Sequence, residues 1–301
     1  MKTVFSKIND FLMKPLFDEQ VLLKKDPVYP KITIVTPSFN QAVFLERTIL
    51  SVLNQNYPNL EYIIIDGGSK DGSVEIIKKY EKYLSYWVRE PDQGQADAIN
   101  KGFRMATGGL VAWQNSDDIY LPNVFLNLAN TYKKKPDYDV YFGNVYLIDE
   151  NDKIIREMRF HPFSVYHLIY YGWNLSSQAV FWKRKVFDVA GYLQNLNVSF
   201  DWEWFIRLGM KNLKFYFIHE FLGAYRIHEN SKLSLIKNRE DIKRGILKSY
   251  GIEYDNDGYC KKDHRFMRYH CFLNKLFHYI IQRDFAYLYF LIKNKFNRNL
   301  W

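Results

Sequence analysis

The chain has 301 residues, room for one large domain or a domain with an appendage. Its 48% hydrophobic and 25% charged residues describe a globular protein and exclude a low-complexity one. The net charge of +9 allows a nucleic acid or an anionic membrane as partner, but no RNA- or DNA-binding motif accompanies it, so no nucleic acid is expected. Aromatic residues make up 18% of the chain, a surplus that suits a binding cleft, a membrane interface, or both.

The first twenty residues, "MKTVFSKINDFLMKPLFDEQ", carry Lys7, Asp10 and Lys14 inside any apolar stretch, which does not fit a signal peptide. No run reaches the roughly 18 apolar residues that span a bilayer. Cys260 and Cys271 lack metal-type spacing, so free thiols in a reducing compartment are expected. The expected location is the cytoplasm.

From Lys31 strands and helices alternate. "KITIVTPSF" predicts a strand and "QAVFLERTILSVLNQ", capped by Asn40, a helix. "LEYIIIDGGS" and "DGSVEIIKKYEKY", then "LSYWVRE" and "GQADAINKGFRMA", repeat the pair, and "GLVAWQN" is a fourth strand. Such alternation implies a mainly parallel sheet flanked by helices, with ligands beyond the carboxyl ends of the strands. The clusters "PSFN", "DGGSKDGS", "EPDQGQ" and "NSDD" would then meet on one edge. Later strands are expected in "YDVYFGNVYLID", "SSQAVFWKRKVF" and "KFYFIHEFLGAYRIH", around helical stretches near Phe163 and Asp201.

Single residues leave two readings each. Asp66, followed by Gly67 and Gly68, can meet a nucleobase ring N–H or cap the next helix. Asp117 and Asp118 can share a divalent cation with a pyrophosphate, or form a turn before Pro122. Asp201 and Glu203 can each be a general base or a helix-start acid; they stand roughly 200° apart on a helix, so only one should face a cleft.

Together, "TPSFNQ", "IIIDGGSKDGS", "EPDQGQADAINKGFRMATG", "WQNSDD" and "FDWEWFIRLG" resemble the family 2 glycosyltransferases of the GT-A fold, from about Lys31 to His228. The resemblance implies an α/β, Rossmann-like catalytic domain at 31–230, with a nucleotide-binding half at 31–120 and an acceptor half at 121–230. An N-terminal extension would occupy 1–30 and a basic helical extension 231–301. It implies that Pro37, Ser38 and Asn40 line the nucleotide pocket with Gly68, and that Asp66 meets the base. Asp92, Gly94 and Asp97 would contact the donor. Where many members carry Arg-Asn this chain has Ile99-Asn100, which leaves Lys101 as a candidate cation for the nucleotide. Ser116 to Asp118 resembles the DxD motif with its first position changed to Ser, so Asp118 would bind Mn²⁺ or Mg²⁺ and Asp117 the ribose or donor sugar. His228 would complete the metal site and Arg226 would meet phosphate. Asp201 aligns with the catalytic base, with Glu203 as runner-up, and Gln178 and Trp202 border the acceptor.

The activity so implied is inverting, metal-dependent transfer from a nucleotide sugar, UDP-linked in the first instance, to a glycan or lipid-linked acceptor of cell-surface polysaccharide. The alternatives are a non-catalytic sugar-binding module on the same fold and a basic nucleic-acid-binding protein. Nine Lys or Arg against two Asp from Lys261 to Trp301, interleaved with aromatics, predict contact with an anionic membrane surface or helical packing on the domain.

Overall fold

The computed structural model describes residues 10–229, 239–252 and 263–294. The expectations for Cys260 and for both ends of the basic extension lie outside these residues. The first four strands are β1 (Ile32–Ser38), β2 (Leu60–Asp66), β3 (Tyr86–Arg89) and β4 (Leu110–Trp113). They run parallel in the order β3-β2-β1-β4. β1 and β2 are buried at every position, because helices cover both faces. Those helices include α2 (Ala42–Leu53), α3 (Ser73–Tyr80) and α4 (Gln95–Met105), which follow α1 (Glu19–Lys24).

Beyond β4 the sheet is mixed. β5 (Ile119–Tyr120), β6 (Val140–Ile148), β7 (Ile154–Met158), β8 (Val180–Lys183) and β9 (Phe215–Arg226) extend the order to β4-β8-β6-β9-β5, with β7 on β6. β8 is antiparallel to both β4 and β6, whereas β9 is parallel to β6. The helices here are α5 (Val124–Lys134), α6 (Val165–Tyr170), α7 (Val186–Ala190) and α8 (Phe200–Met210). Much of the aromatic surplus is core: Trp113, Trp182 and Trp204 are fully buried, with Trp113 and Trp182 ring centroids 5.4 Å apart.

Residues at both ends pack on this body. Asn54, which caps the end of α2, donates to the carbonyls of Phe11 (2.6 Å) and Lys14 (2.9 Å) and accepts from the Leu16 amide (2.7 Å). After α9 (Arg239–Ser249), the Tyr250 hydroxyl donates to Glu203 at 2.5 Å. In α10 (Asp263–Ile281) the Tyr279 hydroxyl donates to the Arg159 carbonyl at 2.7 Å, and Asp284, before α11 (Phe285–Asn294), pairs with the Arg159 guanidinium.

Candidate active site

The chain leaves β1 for β2 on one side and returns to β4 on the other, so the order of strands reverses between β1 and β4. A crevice is expected there, and a cavity of about 770 Å³ opens at these carboxyl ends. One wall carries Pro37 and Ser38 at the end of β1 and Phe39 after it, Gly67 after β2, Asp92, Gly94 and Gln95 before and in α4, and Asn115, Ser116 and Asp117 after β4. The other carries Arg156 and Met158 of β7, Trp173, Gln178, Ser199, Asp201 and Tyr225.

Two of these loops hold each other. Asn40, at φ 51°, accepts from the Lys70 amide (2.9 Å), while its own amide donates to Ser69 Oγ (2.9 Å). Asp71 and Ser73 accept from the amides of Ala42 (2.9 Å) and Gln41 (3.1 Å), so the start of α2 is capped from the neighbouring loop. Asn40 is therefore not the cap of α2, and it does not line the cavity. Gly67 has a steric reason: a Cβ there would lie 2.4 Å from Asp92 Oδ2.

Asp66 does not face the cavity. It is fully buried and accepts from the amides of Gly68 (3.0 Å) and Ser69 (2.8 Å) and from the hydroxyls of Ser69 (2.6 Å) and Ser38 (3.1 Å). With its oxygens engaged it shapes the turn and steadies Ser38, which does line the cavity. Gly68 supplies the turn's positive φ of 95° and is absent from the wall. Three more residues expected at the donor, Asp97, Asn100 and Lys101, are absent from the wall and are bonded within the protein. Asp97 accepts from the Gln93 amide (3.1 Å), and Asn100 pairs through both amide atoms with the Leu193 backbone (2.8 and 3.0 Å). Lys101 is held by Glu90 at 2.8 Å and by the Pro91 carbonyl at 3.1 Å.

The two adjacent acids separate by role. Asp117 lines the cavity, and its Oδ2 lies 3.1 Å from His228 Nε2. Asp118 is fully buried; it accepts from Gln178 Nε2 (2.6 Å), Asn115 Nδ2 (2.9 Å) and the Arg226 amide (2.8 Å). Burial, then the charge of Asp117, pushes the Asp118 carboxyl well above the usual carboxylate range. Asp117, expected at the ribose or donor sugar, thus faces the cavity, whereas Asp118, expected at the metal, does not, because it joins β5, β9 and the turn at Gln178. Arg226 does not meet phosphate either: it is fully buried, with Nη2 2.6 Å from Asp152 Oδ1. Among the described residues no three His, Cys, Asp or Glu side chains gather as a metal cage. The pair Asp117 and His228, one hard oxygen and one imidazole nitrogen, would suit a Mn²⁺-type ion better than Mg²⁺, which favours oxygen alone, and leaves room for phosphate ligands.

Asp201, in the first turn of α8, lines the cavity. Glu203 points into the core, 1% exposed, and makes a two-pronged pair with Arg207 (2.9 and 2.8 Å). Trp202 is buried too, its indole N–H directed at the Leu168 carbonyl (3.4 Å), and does not border the cavity. Gln95 and Asn115 line the wall from within the expected clusters "EPDQGQ" and "NSDD", though neither was singled out, whereas Arg156, Trp173 and Ser199 were not expected there, Arg156 and Trp173 coming from segments with no signal.

The model of Glycosyl transferase family 2 matches residues 33–205. An uncharacterised glycosyltransferase of Rickettsia typhi is 27% identical over 243 residues, 75% of this chain and 74% of that protein. One from Methanocaldococcus jannaschii is 28% identical over 230 residues, 73% and 79% of the two chains. Among solved structures, Staphylococcus aureus TarS 1-349 in complex with UDP-GlcNAc superposes with a TM-score of 0.60 at 16% identity, over 73% of this chain and 65% of that one. The mannosyltransferase PcManGT of Pyrobaculum calidifontis, in complex with GDP-Man and Mn2+, gives 0.56 at 17% identity, over 90% and 76%. No helix among the described residues is long and apolar enough to cross a membrane. The matched region holds all four parallel strand ends and Asp201, and the chain belongs to glycosyl transferase family 2, a glycosyltransferase of the GT-A fold.

Proposed function

We propose that the protein is an inverting, divalent-cation-dependent glycosyltransferase. It moves a sugar from a UDP-linked donor to a hydroxyl of a glycan or lipid-linked acceptor in cell-surface polysaccharide synthesis. The observation that carries this reading is that Asp117 and Asp201, from opposite halves of the domain, line one cavity. The donor's diphosphate belongs beside Asp117 and His228, which would hold the cation, with Ser38, Asp92 and Gly94 on the nucleotide side. The cation, when bound, offsets charge on the departing diphosphate.

Asp201 takes the proton of the acceptor hydroxyl as its oxygen bonds to the anomeric carbon and the bond from that carbon to phosphate breaks. Trp173 and Arg156 flank the acceptor's approach. Asp66 acts indirectly, through the Ser38 hydroxyl it holds. The UDP assignment draws on TarS, and the cation also on PcManGT, as their complexes are described. A lipid-linked acceptor places the enzyme at the inner face of the cell membrane as a peripheral protein.

Thermal shift with a panel of nucleotide sugars tests the reading. UDP-sugars with Mn²⁺ should raise the melting temperature, and EDTA or Asp117→Ala should remove the shift. No response to any nucleotide sugar would overturn it.

A further inference from the structure

We infer that the outward faces of α10 and α11 are a docking surface for an anionic lipid bilayer. The inference deepens the lipid-linked acceptor reading and rests on it for its purpose, but its physical argument is separate.

Helix α10 carries apolar side chains on its exposed face as well as its buried one. On the inner face Cys271, Lys275 and Tyr279, four residues apart, are buried; Lys275 is only 4% exposed, its ammonium 5.6 Å from the centre of the Tyr171 ring. On the outer face Tyr269, Leu273, Phe277 and Ile281 repeat at the same spacing and are 58, 42, 63 and 60% exposed. A helix facing water on one side and a core on the other keeps polar and charged side chains on the exposed side. The apolar exposure continues past Arg283 into α11, where Phe285 is 61% and Tyr289 68% exposed. Isolated exposed apolar side chains are ordinary, but a continuous helical row of this kind marks an interaction surface.

Charge selects the occupant. With Lys275 buried, eight Lys or Arg against two Asp remain in the segment from Lys261 to Trp301, an excess that complements anionic headgroups and opposes self-association. Tyr at both ends of the row suits the headgroup level, where an apolar ring and a polar hydroxyl are both accommodated. A buried lysine and the turn at Arg283 suit helices lying in the interface rather than crossing it.

The packing and membrane roles of this extension do not compete, because they use different faces. The inner face holds the cavity wall: Tyr279 donates to the carbonyls of Arg159 and Phe160, next in chain to Met158, which lines the cavity. Phe272 of α10 stacks near Tyr171, two residues before the cavity residue Trp173. Lipid contact on the outer face would therefore bring this wall to the membrane, where a lipid-linked acceptor is presented.

The test is flotation of the full chain with vesicles of phosphatidylglycerol and phosphatidylcholine, against phosphatidylcholine alone. The wild type should float with the anionic vesicles and be released by salt. Combined Leu273→Ser, Phe277→Ser and Tyr289→Ser should weaken partitioning by at least roughly a hundredfold with an unchanged melting temperature. Val189→Ser, at an exposed apolar side chain elsewhere, should have no effect. Phe277→Glu alone should lose most of the binding, which keeps the test decisive if the triple variant unfolds. Equal flotation of wild type and Phe277→Glu would overturn the proposal. So would a wild-type dimer in lipid-free buffer that the triple variant converts to monomer, since the patch would then be a self-association surface. Vesicle binding is read without donor or acceptor, so an enzyme that floats but binds no nucleotide sugar overturns the functional reading and leaves this surface standing.

Discussion

The buried guanidinium of Arg226 holds the main-chain carbonyl of Asp117 through Nε at 2.7 Å, although 109 residues separate them in sequence. The Arg226 amide donates to Asp118, and Nη1 donates to the Asp149 carbonyl at 3.0 Å. The charge is balanced by Asp152, which Arg47 also reaches at 3.0 Å. The last residue of β9 thereby fixes the backbone of the acidic turn before any ligand arrives.

Asp152→Ala should leave Arg226 buried without its carboxylate. Removing one partner of such a pair costs about 3–5 kcal/mol. Urea unfolding should show that loss, and the cation concentration needed for half-maximal nucleotide binding should rise, because the Asp117 backbone is no longer anchored.

Asp117 and Asp118 should behave differently when substituted. Asp117→Ala should abolish the difference in UDP affinity with and without Mn²⁺, measured by calorimetry, while leaving the melting temperature nearly unchanged. Asp118→Ala should lower the melting temperature, since it strands the donors of Asn115, Gln178 and Arg226 in a dry interior. Retained cation dependence in Asp117→Ala would refute the assignment.

Asp201→Asn keeps the shape of the side chain but cannot accept a proton. Turnover should fall by roughly 10²–10⁴ with donor affinity intact. Glu203→Gln should instead reduce stability by about 3 kcal/mol, because it breaks a buried pair with Arg207. A dead Glu203→Gln enzyme beside an active Asp201→Asn enzyme would move the base by two residues.

Acid should weaken the fold through two neighbouring imidazoles. Burial holds His161 down to about 3 and His167 to about 2, against an ordinary 6.5, with the charges of Lys275 and, for His161, His278 adding to the effect. Their ring centroids are 4.2 Å apart. With folded-state values depressed, their contribution is complete above pH 6.5 and is lost as pH falls toward 3, because the unfolded chain takes up protons first. The slope is about 1.4 kcal/mol per pH unit for each histidine. Urea unfolding at pH 7 and pH 5 should show the loss, and His167→Phe should reduce it by about one histidine's share.

The strand–helix alternation from Lys31 to Gln114 was legible because burial on both faces writes strands as continuous apolar runs and the helices keep a 3.6-residue period. The convergence of four polar clusters followed from parallel pairing alone. The separation of Asp201 from Glu203 was legible too, since helix geometry sends them to different sides. The extent of the mixed half was not, because antiparallel insertion of β8 between β4 and β6 depends on pairing across about seventy residues.

Which acid faces the cavity was decided by tertiary contacts. Asp117 and Asp118 are chemically identical and adjacent, and only the donors delivered by Gln178, Asn115 and the end of β9 draw Asp118 inward. Asp66 and Asn100 follow the same rule: their residue types suit a ligand, but the nearest unpaired backbone and hydroxyl groups claimed them first. Sequence sets a polar group's chemistry, whereas its availability depends on whether folding has already supplied partners, because a buried polar atom without them costs more than the fold can spare.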